Sequence, residues 1–572
     1  MKQLLAILTL FGSLTFTSCE DFLTEEVRGQ QNLDTYFTTA DECEAYITGC
    51  YQDITCGGWW NINTVWLLSE MCSDDAWMGN TTQSQSDYIS LAHYQGNGAS
   101  NGPISNFWQY RYKGILRCNV AIDRISNAEL EDKELQARLV AEARFLRGYF
   151  YFELARNFGG VPLITEFKMP EEIQGITRAS LEDTYKFIEE DLIAAAEVLP
   201  KRSEYADADM GRATSGAALG LLGKVYLYQE KWTEARDVLQ KLIPESGYTG
   251  EDAQTTEYDL LPNFGDVWDK DFDNSVESLF EVQYEYHATL AVGGSLSTIT
   301  GARSCGAALG DGWAWCQPTA NLEAAYSEDD ERREWTIIKT GCTEIKGETE
   351  ENFAKILNDN KDISVYDDCV EKYNLPENSL VIDPSGHKSA RIIRKYYLPL
   401  NDRPEVYNTD KSPLNHRILR YADVLLMYAE ACNELNDDTH AQAALNRVRN
   451  RAGLASVSVT GNELRHAIRN ERRLELAFEQ NRLYDIRRWK DDNGKPVIAN
   501  LMGENGSFVK WNTDPATRDA MEWDNQGEAS DKGTRTFLLP KYNINITPAS
   551  AITLYIGGNA VPHILALTAD FS

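Results

Sequence analysis

The sequence predicts a mostly α-helical fold, a scaffold of tetratricopeptide-like helix pairs interrupted by long loop and short-strand excursions. Three observations predict it. Apolar residues recur at three- and four-residue spacing over long stretches, which places them on one face of a helix. Two stretches repeat one design, a small-residue helix followed at once by a second amphipathic helix. Between them run segments rich in Gly, Asn, Ser and Asp without a sustained period, which read as loops or short strands.

Taken in order, helices are expected at about 41–55 and 106–126. Leu139, Ala143, Leu146, Phe150 and Leu154 mark one apolar face of a long third helix, and a fourth covers about 180–199. The first pair is 214–229, rich in Gly and Ala, with 232–243, which opens on Lys231-Trp232-Thr233-Glu234-Ala235. The second is Arg417 to Leu435, carrying Ile418, Tyr421, Leu425, Tyr428 and Cys432, with 439–452. Small residues let paired helices approach closely, and a short turn makes them antiparallel. A further helix holds Leu464, Ile468, Leu474 and Phe478, and Thr460-Gly461-Asn462-Glu463 before it reads as a capping box. The two pairs lie roughly 200 residues apart instead of at the period of about 34 of a contiguous array. Segments near 80–103, 245–315 and 490–535 are the excursions, where binding surfaces tend to sit.

The chain has 572 residues, 42% hydrophobic and 25% charged, enough to bury a large core. Its net charge of −33 repels nucleic-acid phosphates and anionic headgroups, which sets nucleic-acid binding aside. Thirteen Trp and 28 Tyr, each a flat apolar face with a polar handle, point to a neutral, polar, ring-shaped ligand.

Met1-Lys2 and the apolar run Leu4 to Phe16 have the form of a signal peptide over 1–18. The run is shorter than the roughly 20 residues that span a bilayer. Phe16-Thr17-Ser18-Cys19 resembles a bacterial lipobox, with Cys19 the lipidated residue of the mature chain. Glu20 and Asp21 resemble the acidic signal that sends some lipoproteins to the outer face of the outer membrane. None of the remaining ten cysteines forms Cys-x-x-Cys, so zinc and thioredoxin-type chemistry have no support. Cys118 and Cys432 fall on helices as buried thiols, and Cys305 with Cys316 either closes a loop or stays reduced.

Four segments carry a family resemblance. Ala141-Glu142-Ala143-Arg144-Phe145-Leu146-Arg147-Gly148-Tyr149, with Phe152-Glu153-Leu154 and Asn157-Phe158-Gly159-Gly160-Val161-Pro162-Leu163, closely resembles the N-terminal signature of the SusD/RagB family. Arg420-Tyr421-Ala422-Asp423 through Ala431, Asn446 through Leu454, and Ile468 through Glu479 with Arg482 and Asp485 to Trp489 resemble its later signatures in the family's order. The Phe537-Leu538-Leu539-Pro540 strand is similar to the family's end, whereas the tail from Lys541 to Ser572 departs from it. The resemblance implies a SusD-like fold. It also implies a non-enzymatic surface lipoprotein that captures oligo- or polysaccharide and caps a SusC-like TonB-dependent outer-membrane transporter. Its organisation would be 19–240 as the N-terminal region and 241–572 as the C-terminal region, packed into one body. The signature arginines and acids, Arg469, Glu471, Arg472, Arg473 and Glu475 among them, read as charge pairs within and between helices.

Sugars present apolar CH faces and equatorial hydroxyls, so their sites want flat aromatic platforms with polar groups at the rim. By resemblance the platform lies on two excursions. The first holds Trp59, Trp60, Trp66, Asp74, Asp75, Trp77 and Tyr88, and the second Tyr284, Tyr286, Arg303, Trp313 and Trp315. Trp66 and Trp108 lie on apolar periodic runs and read as core. Trp77, Trp313 and Trp315, in polar or Gly-rich surroundings, read as exposed for binding, with Asp75, Tyr284, Tyr286 and Arg303 as glycan-binding partners.

Other motifs carry less. Gly98-Ala99-Ser100-Asn101-Gly102 matches a nucleophile elbow, but that elbow needs a strand before it and this one sits in a polar loop. No pair among 88 acids is singled out for glycosidase chemistry. Asp269, Asp271 and Asp273 alternate as in a calcium loop, but Asn274 stands at the turn glycine and Phe280 at the bidentate Glu, so a solvated acidic turn is the safer reading. No cofactor or metal is expected. Peptide uptake on the same scaffold and, more remotely, a surface hydrolase are the alternatives.

Overall fold

The structure, a computed structural model, describes residues 33–55, 69–79, 87–88, 102–169, 172–249, 257–287, 292–310, 312–384, 389–404 and 412–502, together with a few shorter pieces. Cys19 with the signal segment, Trp59, Trp60, Trp66, Ser100, Phe537-Leu538-Leu539-Pro540 and most of the tail lie outside the described residues.

Thr39 opens α1 (Ala40–Gln52) with a true capping box, its hydroxyl accepting from the Glu42 amide while the Glu42 carboxylate accepts from the Thr39 amide. Next come β1 (Ala76–Gly79), α2 (Gly102–Ser126), α3 (Lys133–Phe158) and α4 (Leu181–Val198). The first helix pair follows as α5 (Ser215–Tyr228) and α6 (Trp232–Leu239). The central excursion contributes β2 (Ser278–Val282), α7 (Leu296–Thr300), β3 (Trp315–Pro318), β4 (Ile337–Lys339), α8 (Glu350–Lys361), α9 (Tyr366–Tyr373) and β5 (Arg391–Ile393). The chain returns to the scaffold through β6 (His416–Arg420), α10 (Tyr421–Glu434), α11 (Asp438–Arg451), α12 (Gly461–Glu475) and α13 (Arg482–Arg488).

Consecutive helices α2 to α6 pack in sequence, and so do α10 to α12. The two helix pairs meet each other, because α10 lies against both α5 and α6. Gly223 shows why α5 is built of small residues: a Cβ there would overlap the Leu239 side chain of α6. One core cluster runs from Phe37 to Met502, and two smaller ones sit in the central excursion, around Ile338, Ile356 and Ile392 and around Leu357, Cys369 and Val381.

Three local expectations change, the first being that Phe478, expected on the helix with Leu474, lies past the end of α12 at Glu475 and has φ 64°. Arg417 to Arg420, expected within a helix, form β6, antiparallel to β2 with Ser278 opposite Arg420 and Val282 opposite His416. Extended backbone lets Arg417 reach Asp273 at 2.7 Å on one side and lets Arg420 reach Glu277 at 2.7 Å, Glu475 and Glu479 on the other. Ile418 therefore belongs to a strand and its helical spacing to Tyr421 is accidental. The capping box at Thr460 does not form either. Asp438 of α11 takes its place, its carboxylate accepting from the Gly461 amide at 2.9 Å.

The signature residues form buried ion pairs between elements. Arg147 of α3 holds Asp191 of α4 at 2.7 Å, and Arg472 of α12 holds Asp423 of α10 at 2.8 Å and Asp485 of α13 at 3.1 Å. Arg332 binds Glu471 and Glu475 at 2.5 and 2.9 Å. Burial opposes ionisation of Glu475, yet Arg451, Arg420 and Arg332 hold its carboxyl well below the usual carboxylate range.

Candidate functional site

The candidate site is built on the antiparallel pair β1–β3, with Ala76 opposite Pro318, Trp77 opposite Gln317 and Gly79 opposite Trp315. The segment before β1 is clamped to α12 and α13, far along the chain. Asp74 accepts two hydrogen bonds from Arg482, at 2.8 and 2.7 Å, and Asp75 accepts two from Arg473, at 2.9 and 2.5 Å. The Asp75 carbonyl also accepts from the Thr319 amide at 2.9 Å, which continues the β1–β3 edge. Although burial works against the charge, Arg482 and Arg473 hold the Asp74 carboxyl at about 2.

These contacts correct three expectations. Trp77, Trp315 and Asp75 are 4%, 2% and 1% exposed, so neither tryptophan presents a free platform and the Asp75 carboxylate is already taken by an arginine. Polar neighbours suggested exposure, but Ser73, Asp74 and Asp75 are themselves buried and find their partners within the protein. Charge in the sequence around Trp77 marks an internal clamp.

Trp313 is half-buried and leans on Trp315, ring centroids 5.4 Å apart and planes at 57°. Half-buried Tyr88 also tilts against Trp315, at 4.9 Å. The result is a row of three rings, Tyr88, Trp315 and Trp313, whose two ends reach the surface. Tyr88 stood in the sequence as one aromatic residue among several on its excursion. Only the strand pairing, which brings two excursions together, makes it part of the row. The Trp313 amide donates to the Thr298 carbonyl of α7 at 2.7 Å, and the Ala314 amide to the Gly301 carbonyl at 3.1 Å.

Tyr284 and Tyr286, both half-buried, follow β2. The Tyr284 amide donates to Asn415 Oδ1 at 2.7 Å, and its ring lies on Gly294, close before α7. Arg303 is exposed, and its amide donates to His387 Nε2 at 3.2 Å. Burial pushes the imidazole of His387 down to about 4, so the ring is neutral and free to accept.

Cys305 and Cys316 are buried and not joined in a disulfide, Cys305 Sγ donating to the Arg303 carbonyl at 3.1 Å and accepting from the Asp383 amide at 3.2 Å. Cys118 and Cys432 are buried on α2 and α10. The Asp269–Asp273 stretch is committed elsewhere: the Asp269 carboxylate accepts from the Asp271 amide and Asp273 pairs with Arg417. Among the described residues no group of three or more His, Cys, Asp or Glu is placed to hold a metal. No helix among them is long and apolar enough to cross a membrane.

Residues 302–543 match the SusD family, and residues 21–227 match the family described as starch-binding associating with outer membrane. A SusD-like protein of Formosa agariphila is 29% identical over 525 residues, covering 88% of this chain and 93% of its own length. A solved laminarin binding SusD-like protein superposes with a TM-score of 0.66 at 28% identity, over 82% of this chain and 95% of that one. A SusD homolog from Bacteroides thetaiotaomicron superposes with a TM-score of 0.64 at 25% identity, over 81% and 92% of the two chains. With residues 21–227 and 302–543 each matched by a SusD-type family and 82% of the chain superposed on a solved SusD-like protein, the chain is similar to the SusD family over most of its length.

Proposed function

We propose that this protein binds glycans at the cell surface and delivers them for import. The observation that carries the reading is the Tyr88–Trp315–Trp313 row, in a fold shared with a solved laminarin binding SusD-like protein at 28% identity. Trp313 and Tyr88 offer ring faces on which the apolar CH face of a sugar stacks. Tyr284, Tyr286 and Arg303 supply hydroxyl and guanidinium donors at the rim, while Trp315 backs the row from inside. Trp77 and Asp75 serve the site by holding β1 in place. A net charge of −33 suits a neutral oligo- or polysaccharide and disfavours a polyanionic one.

The chain works, in this reading, as a non-enzymatic lipoprotein tethered through Cys19 to the outer membrane, facing the exterior. There it acts as the lid of a SusC-like TonB-dependent transporter and traps bound glycan before import. An acyl tether gives membrane attachment without a basic patch, which an acidic surface lacks. The test is retention in native affinity gels containing laminarin or other neutral polysaccharides, run with wild type and Trp313→Ala. Slowed wild type and unslowed Trp313→Ala are expected. Equal retention of the two moves the site, retention only by a peptide digest moves the ligand class, and release of reducing sugar makes the protein a hydrolase.

A further inference from the structure

The aromatic row is assembled across two excursions, and the contact that sets its geometry is made by a residue with no side chain. Gly79 ends β1 opposite Trp315 and has φ +92°, a conformation that residues bearing a Cβ rarely adopt. A Cβ built on it would overlap the Ala314 carbonyl oxygen and come within 3.0 Å of Gln317 Nε2. The same Gln317 Nε2 donates to the Ala314 carbonyl at 2.8 Å. The Ala314 peptide is thus held between the bare backbone of Gly79 and the amide of Gln317.

Ala314 is the residue between the two tryptophans, and it too is left-handed, with φ 57°, as is Cys316 beyond Trp315 with φ 52°. Neither alanine nor cysteine favours this region, so the surroundings impose it. The surroundings are the Gly79 and Gln317 contacts on one side and the amide bonds of Trp313 and Ala314 to Thr298 and Gly301 on the other. The turn at Ala314 lies between the two indoles, whose ring centroids are 5.4 Å apart.

We propose that Gly79 is a positioning residue of the glycan site: by admitting the Ala314 carbonyl, it fixes the left-handed turn that sets Trp313 against Trp315 before any ligand arrives. The inference rests on the glycan-binding reading for its functional consequence, which is that affinity comes partly from a platform already ordered in the free protein. The geometric half stands on its own.

Two measurements separate these halves. In the ligand-free protein, amide hydrogen exchange over 310–318 is compared between wild type and Gly79→Ala, with α3 as internal reference. Faster exchange at the Trp313 and Ala314 amides with α3 unchanged is expected, and unchanged exchange at 310–318 overturns the inference. If Gly79→Ala does not fold, Ala314→Val applies the same test from the loop side, because a β-branched residue resists φ 57°. The second measurement is laminarin retention in a double-mutant cycle with Trp313→Ala. Gly79→Ala alone is expected to weaken retention about tenfold and to change nothing further once Trp313 is gone. An additive loss in the double variant makes Gly79 a merely structural residue and overturns the positioning role. Faster exchange at 310–318 with retention untouched by either variant keeps the geometry and removes the glycan reading of this site.

Discussion

Arg473 and Asp75 stand 398 positions apart in the chain and form a charge-assisted pair at 2.5 Å, out of reach of solvent on the Asp75 side. Removing the arginine leaves a buried carboxylate without its main partner, which costs about 3–5 kcal/mol. Arg473→Ala is therefore expected to lower unfolding free energy by that order in urea titration, with the first loosening over 69–79. A variant that keeps its stability but loses ligand would make Arg473 part of the binding surface instead of the clamp.

The tryptophans of the two excursions are expected to separate cleanly. Trp77→Ala opens a cavity in the core and costs about 3–5 kcal/mol, read as a lower midpoint in thermal unfolding. Trp313→Ala removes a half-buried ring, disturbs stability far less, and weakens glycan retention about tenfold or more. The reverse pattern would place the ligand at Trp77.

Glu70 provides a pH test. Burial pushes its carboxyl up to about 8, against help from the Gln480 amide, which donates to Oε1 at 2.6 Å. Lys395 draws it down while Asp75 and Glu479 push it further up. Between its ordinary value of 4.5 and about 8 the folded protein keeps a proton that the unfolded chain has released. This contribution to stability is whole below that window and declines through it as pH rises, by up to a few kcal/mol. Glu70→Gln should flatten the decline between pH 5 and about 8 in a denaturant series. Parallel curves for the two proteins would refute the assignment.

Because Cys305 and Cys316 form no disulfide, reductant is expected to leave the melting temperature unchanged. Alkylation of the unfolded, unreduced protein should label both residues in a tryptic mass map. An unlabelled pair would show a disulfide.

Most of the helical scaffold was legible because periodicity reports directly on burial. Leu139, Ala143, Leu146, Phe150 and Leu154 do lie on α3 and are buried, and α4 and α5 fall within a residue or two of their expected bounds. What periodicity does not carry is pairing at a distance. Arg417 and Arg420 are strand residues because their partners, Asp273 and Glu277, arrive from another excursion. Trp77 reads as exposed and Asp75 as a glycan-binding partner for the same reason: Arg482 and Arg473, which neutralise Asp74 and Asp75, lie some 400 positions away. Of the site, the Trp313–Trp315 stretch was visible as aromatic residues beside glycines. The role of Tyr88 and Gly79 was not, since strand pairing alone brings them there.

The clamp also sets an order of events in time. The segment carrying Asp74 and Asp75 is made early, but its counter-ions Arg473 and Arg482 emerge some 400 residues later. Contacts of such long sequence separation close late in folding. Until then the β1 segment holds two acids it cannot bury, so this segment and the α12–α13 region reach their final state together. A chain released before residue 482 would keep its helices α2 to α6 and lack the platform, and protease would find it at 69–79 first.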